Sequence, residues 1–253
     1  MLGIEETSES FVESIASALK ASKIPCVLWG HCLLNVYGVP SIIGSIDFVV
    51  PDQLISVGAD VISDLPDLQQ CPSVELCLAS SPERRTPPPT FHVHIKGSEV
   101  TIGLYLQSET LWFLPTLEES LLSVEDTKLS PTFALACDRD VLPPWRPGRG
   151  SGAFKSSNSS VVVPKSHVLL EAYLRLYARD SGKPVGSFAM AMIGYMEQYV
   201  DDDGLLDANQ LPEPLKSAYK ELRLGEKPTR QWMKELKHSL NVPDEVSEDE
   251  DLW

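Results

Sequence analysis

One stretch near the N-terminus, CVLWGHCLLNVYGVPSIIGSIDFVVP at positions 26–51, constrains the fold more than any other part of the chain. Its apolar residues at 26–29 predict a buried strand, which a turn at Gly30 and His31 connects to a short apolar helix at 32–37. Gly38 ends that helix, and a second apolar run at 45–50 predicts another strand that carries one acid, Asp47. A helix between two strands at such short spacing is typical of an α/β sheet.

The neighbouring segments extend this pattern. Ser8 can cap a helix over 8–21, and Asp52 can cap another that reaches residue 65. Alternating apolar residues then predict three strands and, after them, one short helix. The predicted strands are 74–79, 91–95 and 100–106, and the short helix is 117–123. A proline-rich loop at 80–90 and a turn at Gly97 separate the strands.

The second half of the chain differs in composition from the first. Pro, Gly and Ser dominate the middle of 141–163, which predicts a flexible linker or loop. Helical periodicity follows it at 166–180, 185–200, 213–222 and 229–240. We therefore predict an α/β (α+β) domain at 1–140 with a mixed sheet and flanking helices, a helical subdomain at 164–241, and an acidic tail at 242–253.

Charge and hydrophobicity limit the classes of partner. Asp and Glu outnumber Lys and Arg by 36 to 21, for a net charge of −15, which disfavours nucleic acid as a partner. The sequence contains no apolar run long enough for a membrane span, and its first residues are acidic where a signal peptide is basic. We expect an intracellular protein of the cytoplasm, with the nucleus left open and no membrane association.

The cysteines and histidines show no familiar metal-binding spacing. The five cysteines include no C-x-x-C pair, so neither a disulfide framework nor a zinc site follows from them. His92 and His94 lie on one face of a predicted strand and form a possible metal pair, but the sequence offers no third ligand at a suitable spacing.

The segment around Gly30 and Asp47 does indicate a chemistry. The free N–H groups at the start of a helix near Gly30 and His31 attract anions, and an acid on the next strand can hold a divalent cation that bridges to the anion. Phosphate with Mg²⁺ is therefore the natural ligand class for this part of the chain.

The same residues, VLWGHCLLNVYGVPSIIGSIDFVV at 27–50, resemble the signature of the DNA polymerase β-like nucleotidyltransferases, most closely the minimal branch found in antitoxin systems. The resemblance implies a mixed sheet with three carboxylates, two Mg²⁺ ions and a bound nucleoside triphosphate whose α-phosphate an acceptor attacks. It assigns Gly30 and His31 to the phosphate turn, Ser45 to the position of the first carboxylate, and Asp47 to the second. Asp47 is thus the predicted catalytic and metal-binding residue, and Gly30, His31 and Ser45 are the predicted nucleotide-binding residues.

The match to this signature is incomplete. The strand at 100–106 has no acid for the third carboxylate, and Glu171 stands where the resemblance expects a lysine. Asp52, Glu99 and Glu109 stay open as further carboxylates.

These departures leave two functions open. The first is a nucleotidyltransferase-like protein with a degenerate or non-standard catalytic set, which binds a nucleoside triphosphate with Mg²⁺ and has a small-molecule or protein acceptor. The second is a non-enzymatic scaffold that uses the same fold to bind a protein, with the proline loop and the acidic tail as contact elements. A second acid close to Asp47 in the folded chain is the feature that distinguishes an active two-metal site.

Overall fold

The computed structural model describes residues 8–73, 77–81 and 86–243. Its centre is a five-stranded mixed sheet of spatial order β1-β2-β5-β4-β3, in which β2 and β5 are parallel and the other neighbours are antiparallel. The strands are β1 (Val27–Trp29), β2 (Ser45–Val50), β3 (Leu68–Gln70), β4 (Phe91–Ile95) and β5 (Thr101–Leu106). Together with the helices around the sheet, this arrangement confirms the predicted α/β class.

Helices flank the sheet and form most of the C-terminal half. In chain order they are α1 (Glu9–Ala21), α2 (Gly30–Val36), α3 (Ile55–Ser63), α4 (Gln107–Thr110), α5 (Val124–Leu129), α6 (Ser166–Asp180), α7 (Pro184–Tyr195), α8 (Leu215–Leu224) and α9 (Thr229–Ser239). Ser8 caps α1 as predicted, because its hydroxyl accepts a hydrogen bond from the Phe11 N–H. The helical character of the C-terminal part is likewise confirmed.

The two faces of the sheet have different neighbours. Ile102 and Leu104 point to the face that α3 covers, and α3 comes close because Gly58 lacks a side chain: a Cβ there would lie 3.1 Å from Leu104 Cδ1. The opposite face carries Trp29 and Asp47, which are in register on β1 and β2. The Trp29 ring lies 5.5 Å from the ring of Tyr173 on α6, so the helical half covers this face at β1.

The segment predicted as a linker forms hydrogen bonds to α2 and the turn after it. The Gly150 N–H donates to the Gly38 carbonyl, and the Ser151 N–H donates to the Asn35 side chain, both at 2.8 Å. The segment ends in β7 (Val162–Pro164), which pairs with β6 (Phe133–Leu135). The division into domains at 1–140, 141–163 and 164–241 stays a prediction.

The prediction of a strand at 74–79 is wrong for residues 77–79, the part of it that the structure describes. Residues 74–76 lie outside the described residues, and Cys77 opens a turn in which its carbonyl accepts a hydrogen bond from the Ser80 N–H at 3.0 Å. The strand that pairs with β4 comes earlier, at Leu68–Gln70. The predicted helix at 117–123 is a single 3₁₀ turn, Glu119–Leu122, followed by α5.

Part of the proline loop, at 82–85, and the acidic tail from 244 onward also lie outside the described residues. In the part of the chain that is described, no helix combines the length and the hydrophobicity needed to cross a bilayer.

Candidate functional site

Asp47 occupies a narrow slot in the middle of the sheet. Its side chain is 4% exposed, and its Oδ2 accepts a hydrogen bond from Ser45 Oγ at 2.7 Å. Two glycines form the walls: a Cβ on Gly30 would lie 2.7 Å from Oδ2, and a Cβ on Gly103 would overlap Oδ1. A carboxylate fits at this position only because both neighbours lack side chains.

The surroundings of this carboxylate are apolar and aromatic. Burial raises the pKa of the Cys32 thiol to about 12, and the negative charge of Asp47 adds to the shift. The same two causes, in the same order, raise the pKa of the Tyr173 hydroxyl above its usual range. Tyr173 also packs edge-on against Phe188, with ring centroids 6.3 Å apart, so side chains of α6 and α7 fill the space next to the slot.

Two of the three acids that the sequence left open have other surroundings in the structure. Asp52 accepts a hydrogen bond from the Ser108 N–H at 3.1 Å, and Glu109 lines a separate cleft beside Arg179. Within residues 8–73, 77–81 and 86–243, no group of three or more His, Cys, Asp and Glu ligand atoms includes Asp47. A two-metal centre needs several carboxylate oxygens, and the described residues place no group of three such ligands around Asp47.

Glu171 replaces the lysine that the resemblance implies on α6. It is 8% exposed, and its Oε1 accepts from Arg175 Nε at 2.8 Å, one helical turn further along. A carboxylate paired within its own helix provides no positive charge for a phosphate.

A cleft of about 800 Å³ lies beside the slot, on the same face of the sheet. Its floor is a row of three residues in register on adjacent strands, Ser45, Thr101 and His94. Its other lining residues include His31, Glu99 and two strongly exposed apolar side chains, Ile42 at 92% and Leu78 at 79%. The cleft therefore combines polar groups at its base with apolar groups at its mouth.

The four predicted site residues, Asp47 and the three nucleotide-binding residues, are divided between the slot and the cleft. Ser45 and His31 line the cleft, and His31 Nδ1 is hydrogen-bonded to Ser41 Oγ at 2.6 Å. Gly30 begins α2 with a φ of +67° and is buried with Asp47 in the slot behind the cleft. Of the three further acids left open by the sequence, only Glu99 lines this cleft.

The structure also brings together four residues that the sequence did not connect. Cys77 Sγ lies 3.3 Å from His92 Nε2 and 3.4 Å from His94 Nε2, and Cys71 completes the group. The spacing of the two histidines was the only signal for this group in the sequence. The position of Cys71 depends on the pairing of β3 with β4, which the sequence does not reveal.

Comparisons with known proteins give a structural likeness alone. No family model matches the chain, and no curated protein matches its sequence. The chain is similar to the crystal structure of ANT(2'')-Ia in complex with adenylyl-2''-tobramycin, with a TM-score of 0.41 and 10% identity over 85% of this chain and 97% of the other. It is also similar to the solution structure of the antibiotic-resistance factor ANT(2'')-Ia, with a TM-score of 0.36 and 9% identity over 92% and 90% of the two chains.

Proposed function

We propose that this protein is a nucleotidyltransferase-like binding protein, which holds a nucleoside triphosphate in the cleft and does not catalyse two-metal transfer. The observation that carries the proposal is the burial of Asp47, which is 4% exposed and belongs to no group of three or more His, Cys, Asp and Glu ligand atoms among the described residues. One enclosed carboxylate cannot hold the two cations that the transfer reaction requires. The degenerate catalytic set predicted from the sequence is therefore also what the slot favours.

The cleft has the dimensions and chemistry of a site for a small ligand. Its volume of about 800 Å³ lies within the usual range for such sites. The hydroxyls of Ser45 and Thr101 and the ring of His94 provide polar contacts at the floor, and Ile42 and Leu78 offer apolar surface for a base. This distribution suits a ligand that is polar at one end and flat and apolar at the other.

The charges around the cleft set a condition on how a triphosphate binds. None of its described lining residues is Lys or Arg, and Glu99 adds a negative charge. Arg84 and Arg85 lie outside the described residues. A triphosphate would therefore bind best when it brings its own Mg²⁺, which neutralises part of its charge.

A thermal-shift panel tests this proposal. Wild type, Thr101→Val and Asp47→Asn are each heated with the common nucleoside triphosphates, with and without Mg²⁺. A ligand at a hundred times its Kd stabilises a protein by about 2.7 kcal/mol, or roughly 5–11 °C for a chain of this size. We expect one triphosphate with Mg²⁺ to give this shift in wild type, and the Thr101→Val shift to be smaller because a floor hydroxyl is lost.

Thr116→Val is the matched control, because it makes the same change at an exposed residue outside the cleft lining. The control should respond as wild type does. If no triphosphate stabilises wild type under any of these conditions, the proposed function is wrong.

A scaffold function is the second candidate, and the exposure of Ile42 and Leu78 at the mouth of the cleft favours it. Large apolar side chains exposed side by side often mark a protein contact. A photo-crosslinking amino acid at position 42 should then give a discrete protein adduct in cells. The same amino acid at position 129, where Leu129 is 83% exposed away from the cleft, should not. Equal labelling from the two positions would contradict this function.

A further inference from the structure

Four side chains converge at the edge of the cleft, on the far side of β5 from Asp47. The ligand atoms of Cys71, Cys77, His92 and His94 all lie within 4.8 Å of one another. Two of them belong to β4 and two belong to the segment after β3. Cys77 and His94 also line the cleft, whereas the slot around Asp47 contains none of the four.

The pairing of the strands explains how the group forms. His92 and His94 alternate onto one face of β4, and His92 is in register with Gly103, which has no side chain to compete for the space. β3 runs antiparallel to β4, with Gln70 opposite Val93, so Cys71 follows the strand at the position opposite His92. Cys77 lies at the same point, because its Sγ is within 3.4 Å of the Nε2 atoms of both histidines.

Two of the separations within the group are close to those of tetrahedral zinc coordination. Zn–S bonds of about 2.3 Å and Zn–N bonds of about 2.0–2.1 Å at tetrahedral angles separate S and N ligand atoms by about 3.6 Å. The observed separations from Cys77 Sγ are 3.3 Å to His92 Nε2 and 3.4 Å to His94 Nε2. Cysteine thiolates and imidazoles are ligands that Zn²⁺ binds well, whereas Mg²⁺ and Ca²⁺ prefer oxygen ligands.

Hydrogen bonds can also join these groups, because Cys77 can donate its one hydrogen to one Nε2 and accept the Nε2–H of the other imidazole. Sulfur is a weak donor and a weak acceptor, so such bonds contribute little to holding the group together. Two imidazoles directed at one sulfur, with a second cysteine beside them, form a set of four donors around one point. Such a set is what a metal ion requires.

We propose that Cys71, Cys77, His92 and His94 bind one Zn²⁺ ion. Because four protein ligands complete the tetrahedron, the ion has no open position for a substrate and its role is structural. It joins Cys71 and Cys77, whose chain neighbours Pro72 and Leu78 line the cleft, to β4. The inference does not depend on which ligand the cleft holds.

The first test is the metal content of the full-length protein, purified without a metal-binding tag and then supplied with Zn²⁺. We expect about one zinc ion per chain, which Cys71→Ser and Cys77→Ser reduce at least tenfold. Cys137→Ser is the matched control, because Cys137 is a partly exposed free thiol like Cys71 but is hydrogen-bonded to the Ser157 and Ser159 carbonyls instead. A zinc content below about a tenth of an ion per chain in wild type would overturn the proposal, and so would full zinc content in the Cys77→Ser variant.

A second test uses wild type alone and so does not depend on whether a variant folds. Apoprotein titrated with Co²⁺ should develop the visible absorption of a tetrahedral site together with thiolate-to-metal charge-transfer bands, and both should saturate at one equivalent. Added Zn²⁺ should then abolish them. Weak absorption typical of octahedral Co²⁺ would contradict the proposal, as would a Cys71–Cys77 disulfide in protein isolated without reductant.

Discussion

Gly103→Ala tests the slot around Asp47 with a single methyl group. The new Cβ would overlap Asp47 Oδ1 and would lie 3.2 Å from Pro89 Cβ and 3.3 Å from Tyr105 Cε2. The carboxylate cannot retreat easily, because its Oδ2 already lies against the Gly30 backbone on the other side. Overpacking of this kind costs about 2–3 kcal/mol.

Part of that cost is offset, because replacing a strand glycine by alanine restricts the unfolded chain and contributes about 0.5–1 kcal/mol. The free energy of unfolding should therefore fall by about 1–2.5 kcal/mol, which lowers Tm by roughly 2–10 °C. Urea unfolding followed by tryptophan fluorescence measures the change. Gly44→Ala is the control, since a Cβ at Gly44 meets nothing within 4 Å and should change stability by less than about 0.5 kcal/mol.

A double-mutant cycle shows whether the carboxylate is responsible. In an Asp47→Ala background the overlap is gone, so Gly103→Ala should become nearly neutral and the coupling between the two sites should be about 2 kcal/mol. Equal effects of Gly103→Ala in the two backgrounds would refute this account of the slot.

Two further substitutions probe other contacts. Tyr37→Phe should lower stability by about 1–2 kcal/mol in urea unfolding, because it removes the buried hydrogen bond of 2.6 Å to the Pro164 carbonyl, and an unchanged midpoint would contradict this. Asp203→Asn should cost about 1 kcal/mol at pH 7, because Arg149 and then Arg146 hold the pKa of the Asp203 carboxyl below its usual value. A carboxyl whose pKa is lower in the folded state than in the unfolded state stabilises the fold at pH values above the unfolded-state pKa. That stabilisation is lost as the pH falls through the folded-state pKa. The difference between Asp203→Asn and wild type should therefore shrink below about pH 4; a difference independent of pH would count against the ion pairs.

Much of the local structure follows directly from local patterns. β2 coincides with the predicted run at 45–50, and α6 with the predicted helix at 166–180, because each pattern is long, periodic and bounded by clear stop signals. The environment of Asp47 was only partly predictable. An acid within an apolar strand indicates a buried carboxylate, but its glycine wall at position 103 depends on the parallel pairing of β2 with β5.

The cysteine and histidine group could not be predicted from local sequence patterns. β3 is the three residues Leu-Gln-Gln, too short and too polar to be predicted as a strand, and its pairing with β4 is what brings Cys71 opposite His92. The spacing of Cys71 and Cys77 matches no familiar zinc motif. A site assembled from two strands and a turn becomes visible only when the tertiary structure is known.

Release of pyrophosphate tests the central claim, binding without transfer, most directly. Wild type is incubated with Mg²⁺ and the triphosphate that stabilises it most in the thermal-shift panel, at a concentration that saturates the cleft, with small-molecule alcohols and amines as acceptors. We predict no pyrophosphate above the level without protein, because a two-metal centre needs several acids and the described residues place no group of three such ligands around Asp47. Pyrophosphate release by wild type that Asp47→Asn abolishes would contradict the account and establish the protein as an active transferase.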